Sequence, residues 1–124
     1  MRQAQVLAYG VEGPVAGRLQ ELAQGRGLSL REVGNPRACL NLLRQGGPAV
    51  LVLKLGRNLV QELTLVQEVG SVFPEVSVVV FGDTDHPALA AFAWDLGAAC
   101  VLFPPQPVEL LPEVVLRLLP TEGP

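Results

Sequence analysis

Lys54 is the only lysine in the 124-residue chain; every other fixed cation is an arginine. It ends the run Pro48-Ala49-Val50-Leu51-Val52-Leu53-Lys54-Leu55-Gly56, so an ammonium group stands where an apolar segment gives way to a turn. Such a group can pair with a carboxylate or join backbone N–H groups at a helix start in binding an anion. With a depressed pKa and an enclosed pocket it can also form a Schiff base, but nothing in the sequence supplies the convergent polar groups that this chemistry needs. Burying the charge unpaired would cost several kcal/mol. The carboxylates in the surrounding loops are Glu12, Asp83 and Asp85, and one of them is expected to pair with Lys54 and hold the site in a single state.

The remaining reactive side chains form no constellation. Cys39 and Cys100 are far apart, with no CxxC or Cys/His ligand spacing, which argues against a zinc site and for two small buried thiols. His86 stands beside Pro87 with no serine or cysteine arranged around it, and reads as the polar residue of a helix start. The stretch Gly10-Val11-Glu12-Gly13-Pro14-Val15-Ala16-Gly17 has neither the G-x-G-x-x-G fingerprint nor a Gly-Lys-Ser/Thr ending. Gly10 and Gly13 read as turn glycines, and Gly17 as a point of close helix-to-sheet packing.

The elements that must position these groups follow from the apolar patterning. Ala49–Leu53 lacks alternation and is rich in β-branched residues, which predicts a strand buried on both faces at the middle of a parallel sheet. Its carboxyl end, with Lys54, is where open α/β sheets place ligands. Four further strands are predicted: Ala4–Tyr9, the more polar edge strand Leu28–Val33, Val76–Phe81 and Ala99–Phe103. Between them lie helices after Gly13-Pro14, ended by Gly25 and Gly27; from Asn35-Pro36 to the Gln45–Pro48 turn; from Asn58 to Val69, with Leu59, Leu63 and Val66 as its stripe; and from Ala88 to Leu96. A fifth follows Pro104-Pro105-Gln106-Pro107, its regular part beginning at Val108 or only at Pro112, because proline clashes with a carbonyl four residues earlier. Five strands alternating with five helices imply right-handed βαβ units: a flavodoxin-like, doubly wound α/β fold with strand order 2-1-3-4-5. Residues 1–120 form one domain and 121–124 a loose tail.

Composition narrows the function classes. Nearly half the residues are apolar and 17% are charged, which argues for a globule with its own core. Twelve acidic against nine basic groups leave a net charge of -3 and no basic patch for a phosphate backbone, so nucleic acid is not an expected partner. No apolar run reaches the ~18 residues of a spanning helix and the amino terminus has no signal-like core, so a membrane is not expected and the cytoplasm is the expected compartment.

The ordered pattern resembles the receiver domain of two-component response regulators. The likeness rests on the proline and apolar run into the third strand, on Val78-Val79-Val80 in the fourth, on Gly97-Ala98 before the fifth and on Pro105 after it. It implies a set of reacting positions, each of which departs from the family here. The phosphoacceptor aspartate is matched by Lys54. The acidic pair that holds Mg²⁺ after the first strand is matched by Gly10 and Val11, with Glu12 displaced. The threonine or serine ending the fourth strand is matched by Gly82, next to Asp83; the lysine after the fifth by Pro104; the aromatic switch residue by Val101. The resemblance therefore implies a pseudo-receiver with no catalytic residue, no cofactor and no Mg²⁺, working in signal transduction through protein contacts. An alternative is a small-anion or small-ligand site, or an unidentified enzyme site, around Lys54. The face formed by helix four, strand five and helix five is the expected contact surface, with Phe92, Trp94, Val101, Leu110 and Val114 as its apolar residues and a homodimer as one form the contact could take.

Overall fold

Val50, Leu51, Val52 and Leu53 are all 0% exposed, which explains why the central run shows no alternation: a strand covered on both faces needs apolar side chains on both. The computed structural model describes residues 4–119. In it the chain runs β1 (Gln5–Tyr9), α1 (Gly13–Arg26), β2 (Ser29–Val33), α2 (Pro36–Arg44), β3 (Ala49–Lys54), α3 (Leu59–Val72), β4 (Ser77–Phe81), α4 (Pro87–Asp95), β5 (Cys100–Leu102), a 3-10 turn (Val108–Leu110) and α5 (Leu111–Leu118). The strands form one parallel sheet in the order β2-β1-β3-β4-β5, so the flavodoxin-like architecture expected from the sequence is the one observed.

Alternate residues of β3 feed two separate cores. Leu51 and Leu53 join Leu43, Leu65, Val66 and Val69 on the side covered by α2, α3 and α4. Val50 and Val52 join Leu19, Leu111 and Val115 on the side covered by α1 and α5. Register fixes what the strands present at their carboxyl ends: Tyr9 lies level with Val33 and Leu53, and Lys54 with Phe81. The loops after β1, β3 and β4 therefore emerge side by side.

Local signals set most helix ends. Asn35 Oδ1 accepts from the Ala38 amide at 2.8 Å and Asn58 Oδ1 from that of Gln61 at 3.2 Å, each satisfying an amide that the first helical turn leaves open. Gly27 closes α1 in the left-handed region, φ 64°. Pro112 falls in the first turn of α5, where its missing N–H is not needed, and the preceding residues form only the 3-10 turn.

Several expected boundaries move. Gly25 lies inside α1 rather than ending it. β5 has three residues, because only Cys100–Leu102 pair with β4. α3 continues through Gly70 to Val72 instead of stopping at Val69. A Cβ at Gly70 would stand 3.2 Å from the Leu96 carbonyl oxygen, so the glycine lets α3 pass the end of α4. A Cβ at Gly17 would meet nothing within 4 Å, so the close approach expected there occurs at Gly70 instead. The buried stripe of α3 is Glu62, Leu65, Val66 and Val69, with Leu59 outside it at 41% exposure. Residues 121–124, expected as a loose tail, lie outside the described residues. No helix among the described residues is long and apolar enough to cross a membrane.

Candidate functional site

Lys54 is half-buried at the end of β3, and its Nζ lies 2.9 Å from Asp83 Oδ2 in the loop after β4. Of the three carboxylates expected as partners, Asp83 is the one selected. Glu12 instead meets Arg57: the guanidinium Nη2 donates to Glu12 Oε1 at 2.6 Å, across 45 residues of sequence. Asp85 is exposed farther along the β4–α4 loop. Two ion pairs thus tie the loops after β1 and β4 to the end of β3 and the loop beyond it. Both Arg57 and Glu12 are largely exposed, and such pairs contribute roughly 0–1 kcal/mol, so they select loop positions more than they stabilise the fold.

The Gly10 loop runs directly over Lys54. Gly10 has φ 71°, and a Cβ there would sit 3.7 Å from the Lys54 carbonyl oxygen, so a glycine is favoured by its backbone conformation. Gly10, Lys54, Gly56, Arg57, Glu62 and Asp83 enclose a cavity of about 190 Å³. A larger cavity of about 500 Å³ opens beside it, lined by Val11, Glu12, Glu32, Arg57 and Gln61 among others.

Glu62 is the residue of this region that sequence reading missed. It is 3% exposed, its Oε1 accepts from the Gly56 amide at 3.0 Å, and its Oε2 accepts from the Asn58 amide at 3.2 Å. The carboxylate holds the β3–α3 loop closed and adds negative charge near the start of α3, where the helix dipole favours it. The signal available was an asparagine cap followed four residues later by an acid, one residue beyond the usual capping-box spacing. Beside it, the Tyr9 hydroxyl is raised above its ordinary pKa of 10.0 by burial first, then by the charges of Glu62 and Cys39. Burial also pushes the Cys39 thiol up to about 11, and raises that of Cys100. Both thiols are disfavoured as thiolates, in keeping with a packing role for Cys39.

The other expected positions are not all brought together. Gly82 is buried under the Phe103 ring, whose Cζ would lie 3.1 Å from a Cβ placed there. Pro104 is half-buried, precedes a cis bond to Pro105 and lines neither cavity. His86 is a helix cap, its Nδ1 accepting from the Leu89 amide at 3.1 Å.

A receiver's Mg²⁺ would need a cage of oxygen ligands. Here an ammonium stands at the position matched to the phosphoacceptor, Asp83 is taken by that ammonium and Glu12 by Arg57. Among the described residues no group of three or more His, Cys, Asp or Glu could hold a metal ion. The donor set does not fit the cation.

On the expected contact surface, Phe92, Trp94 and Leu110 are exposed at 48, 50 and 41%. Val101 is a correction: it is 4% exposed and packs in the core with Leu51 and Ala93, because β5 is covered on that face. Val114 is half-buried against the α1/α5 core and offers only part of its side chain. Phe92 and Trp94 flank the inward-facing Ala93 on opposite sides of α4, about 200° apart around the helix, so they do not form one patch.

No family model and no curated protein sequence matches this chain. Solved structures do. The receiver domain of a two-component response regulator from Bacteroides fragilis superposes with a TM-score of 0.76 at 19% identity, over 94% of this chain and 97% of that one. The receiver domain of a DNA-binding response regulator from Colwellia psychrerythraea gives 0.75 at 17% identity, over 94% and 98%. The receiver domain of the Saccharomyces cerevisiae response regulator Ssk1, co-crystallised with the histidine phosphotransfer protein Ypd1, gives 0.72 at 13%, over 91% and 86%. At such identities the likeness speaks for the fold, and the five-stranded sheet described above is that of the response-regulator receiver domain.

Proposed function

We propose that this chain is a pseudo-receiver: a signalling module with the receiver fold that does not take up phosphate and acts through protein contacts, without enzymatic activity. The observation that carries the reading is the Lys54–Asp83 pair at 2.9 Å. Phosphoryl transfer to a receiver needs a carboxylate nucleophile and an oxygen cage for the metal. An ammonium at the nucleophile's position, already paired, offers neither. The alternative of an anion site at Lys54 is weakened by the same pairing, since both cations of the small cavity are neutralised by carboxylates.

The reading is tested by adding beryllium fluoride or acetyl phosphate with Mg²⁺ to the ¹⁵N-labelled chain. The expected outcome is no saturable amide shift at Gly10, Lys54 or Gly82, and no mass increase by phosphate. Saturable shifts at those amides would overturn it.

The contact surface is proposed on α4, with Trp94 as its anchor, since a half-exposed tryptophan is a frequent hot spot. The occupant proposed is a second copy of the chain or a protein partner; the Ssk1 receiver structure, bound to its phosphotransfer protein, is an example of a contact on this fold. Sedimentation at two concentrations should show self-association that Trp94→Ala weakens about tenfold or more. A monomer at every concentration, with no partner recovered by pull-down, would refute the surface.

A further inference from the structure

The larger cavity lies outside the carboxyl ends of β1 and β2, against the start of α3, and neither Lys54 nor Asp83 lines it. The sheet order reverses between β1 and β3, over the smaller cavity, and the larger one opens next to it, between the ends of β1 and β2 and the start of α3. Its volume of about 500 Å³ is that of a small-molecule site.

Charge sets the class of occupant. Three carboxylates, Glu12, Glu32 and Glu62, face one guanidinium, Arg57. Arg57 is spent on Glu12, which leaves Glu32 and Glu62 with no cation within salt-bridge reach among the described residues. Each oxygen of Glu62 accepts one backbone N–H, and a carboxylate has about four acceptor sites, so capacity remains on a buried negative charge.

Tyr9 supplies a second and independent sign. It is 7% exposed and lines the cavity, and its hydroxyl has no hydrogen-bond partner among the described residues. Among those residues no side-chain polar atom sealed from solvent lacks a partner, so the Tyr9 hydroxyl reaches solvent, and this cavity is the opening that Tyr9 lines. A tyrosine buried to this degree usually has a partner for its hydroxyl.

We propose that this cavity binds a small organic cation, an alkylammonium or alkylguanidinium compound, whose N–H groups donate to the Tyr9 oxygen and the free acceptor sites of Glu62 while Glu32 balances its charge. A metal ion fits less well, because among the described residues no three His, Cys, Asp or Glu are grouped to ligate one.

The test is an NMR titration of the ¹⁵N-labelled chain with agmatine, using butylurea as a neutral analogue and succinate as an anion. Agmatine alone should give saturable shifts at Gly10, Gly34 and Gln61. Tyr9→Phe, which keeps the ring, and Glu32→Gln should each weaken binding about tenfold, the range for losing a hydrogen bond to a charged group. Lys54→Ala should leave it unchanged. Absence of saturable shifts, an equal response to butylurea, or unchanged affinity in both cavity variants would overturn the assignment. So would loss of binding in Lys54→Ala, since Lys54 does not line this cavity.

Discussion

Glu62→Ala should lower the free energy of unfolding by about 3 kcal/mol, from the loss of two charge-assisted hydrogen bonds. In a chain of this size that corresponds to a fall in Tm of roughly 10 °C. The amides of Gly56 and Asn58 have only the Glu62 carboxylate as a side-chain acceptor, and because both residues are exposed, water recovers part of what its removal costs. Glu62→Gln should cost about half as much, because a carboxamide keeps one acceptor oxygen and turns an N–H₂ toward the other amide. Urea unfolding of both variants checks the ordering. Equal stability of wild type and Glu62→Ala would mean that the β3–α3 loop closes without the carboxylate.

Gly82→Thr should destabilise by about 2 kcal/mol, the usual range for forcing extra atoms into a filled core. A Cβ at Gly82 would sit 3.1 Å from Phe103 Cζ and 3.3 Å from both Cε atoms, and Phe103 is itself buried, so the ring has little room to retreat. Threonine or serine is what the receiver resemblance implies at this position. In a Phe103→Leu background the cost of Gly82→Thr should shrink by more than about 1 kcal/mol, a coupling that a double-mutant cycle reads directly. Strict additivity would show that something other than the ring excludes a side chain there. The contact supports the pseudo-receiver reading from a second direction: the space for a reacting hydroxyl is filled by an aromatic ring.

The pattern of success along the chain has a physical basis. The β3 strand is legible because burial on both faces imposes an unbroken apolar run, whatever lies beyond it. Asn35, Asn58, Gly27 and Pro112 are legible as helix-end residues because caps and prolines act within three or four residues of their own position. Val101 reads wrongly as a surface residue because a three-residue strand carries too short a pattern to tell its covered side from its open one. Glu62 escapes notice because an acid within an apolar stripe normally reads as a surface residue, and only the closed β3–α3 loop gives it a reason to be inside.

The sequence alone determined the order of strands and helices, the position of Lys54 at a strand's carboxyl end, and the absence of an aspartate where the receiver resemblance asks for one. These depend on residue type and local spacing, which the chain carries with it before folding. Only the tertiary structure decided that Lys54 pairs with Asp83 and Arg57 with Glu12, that Phe103 fills the space over Gly82, and that Tyr9, Glu32 and Glu62 share a cavity. Those outcomes join residues from 20 to 50 or so positions apart, roughly the span of the βα units that bring them together. They depend on which strand ends lie level in the sheet, and that register exists only once the β1, β3 and β4 strands have paired.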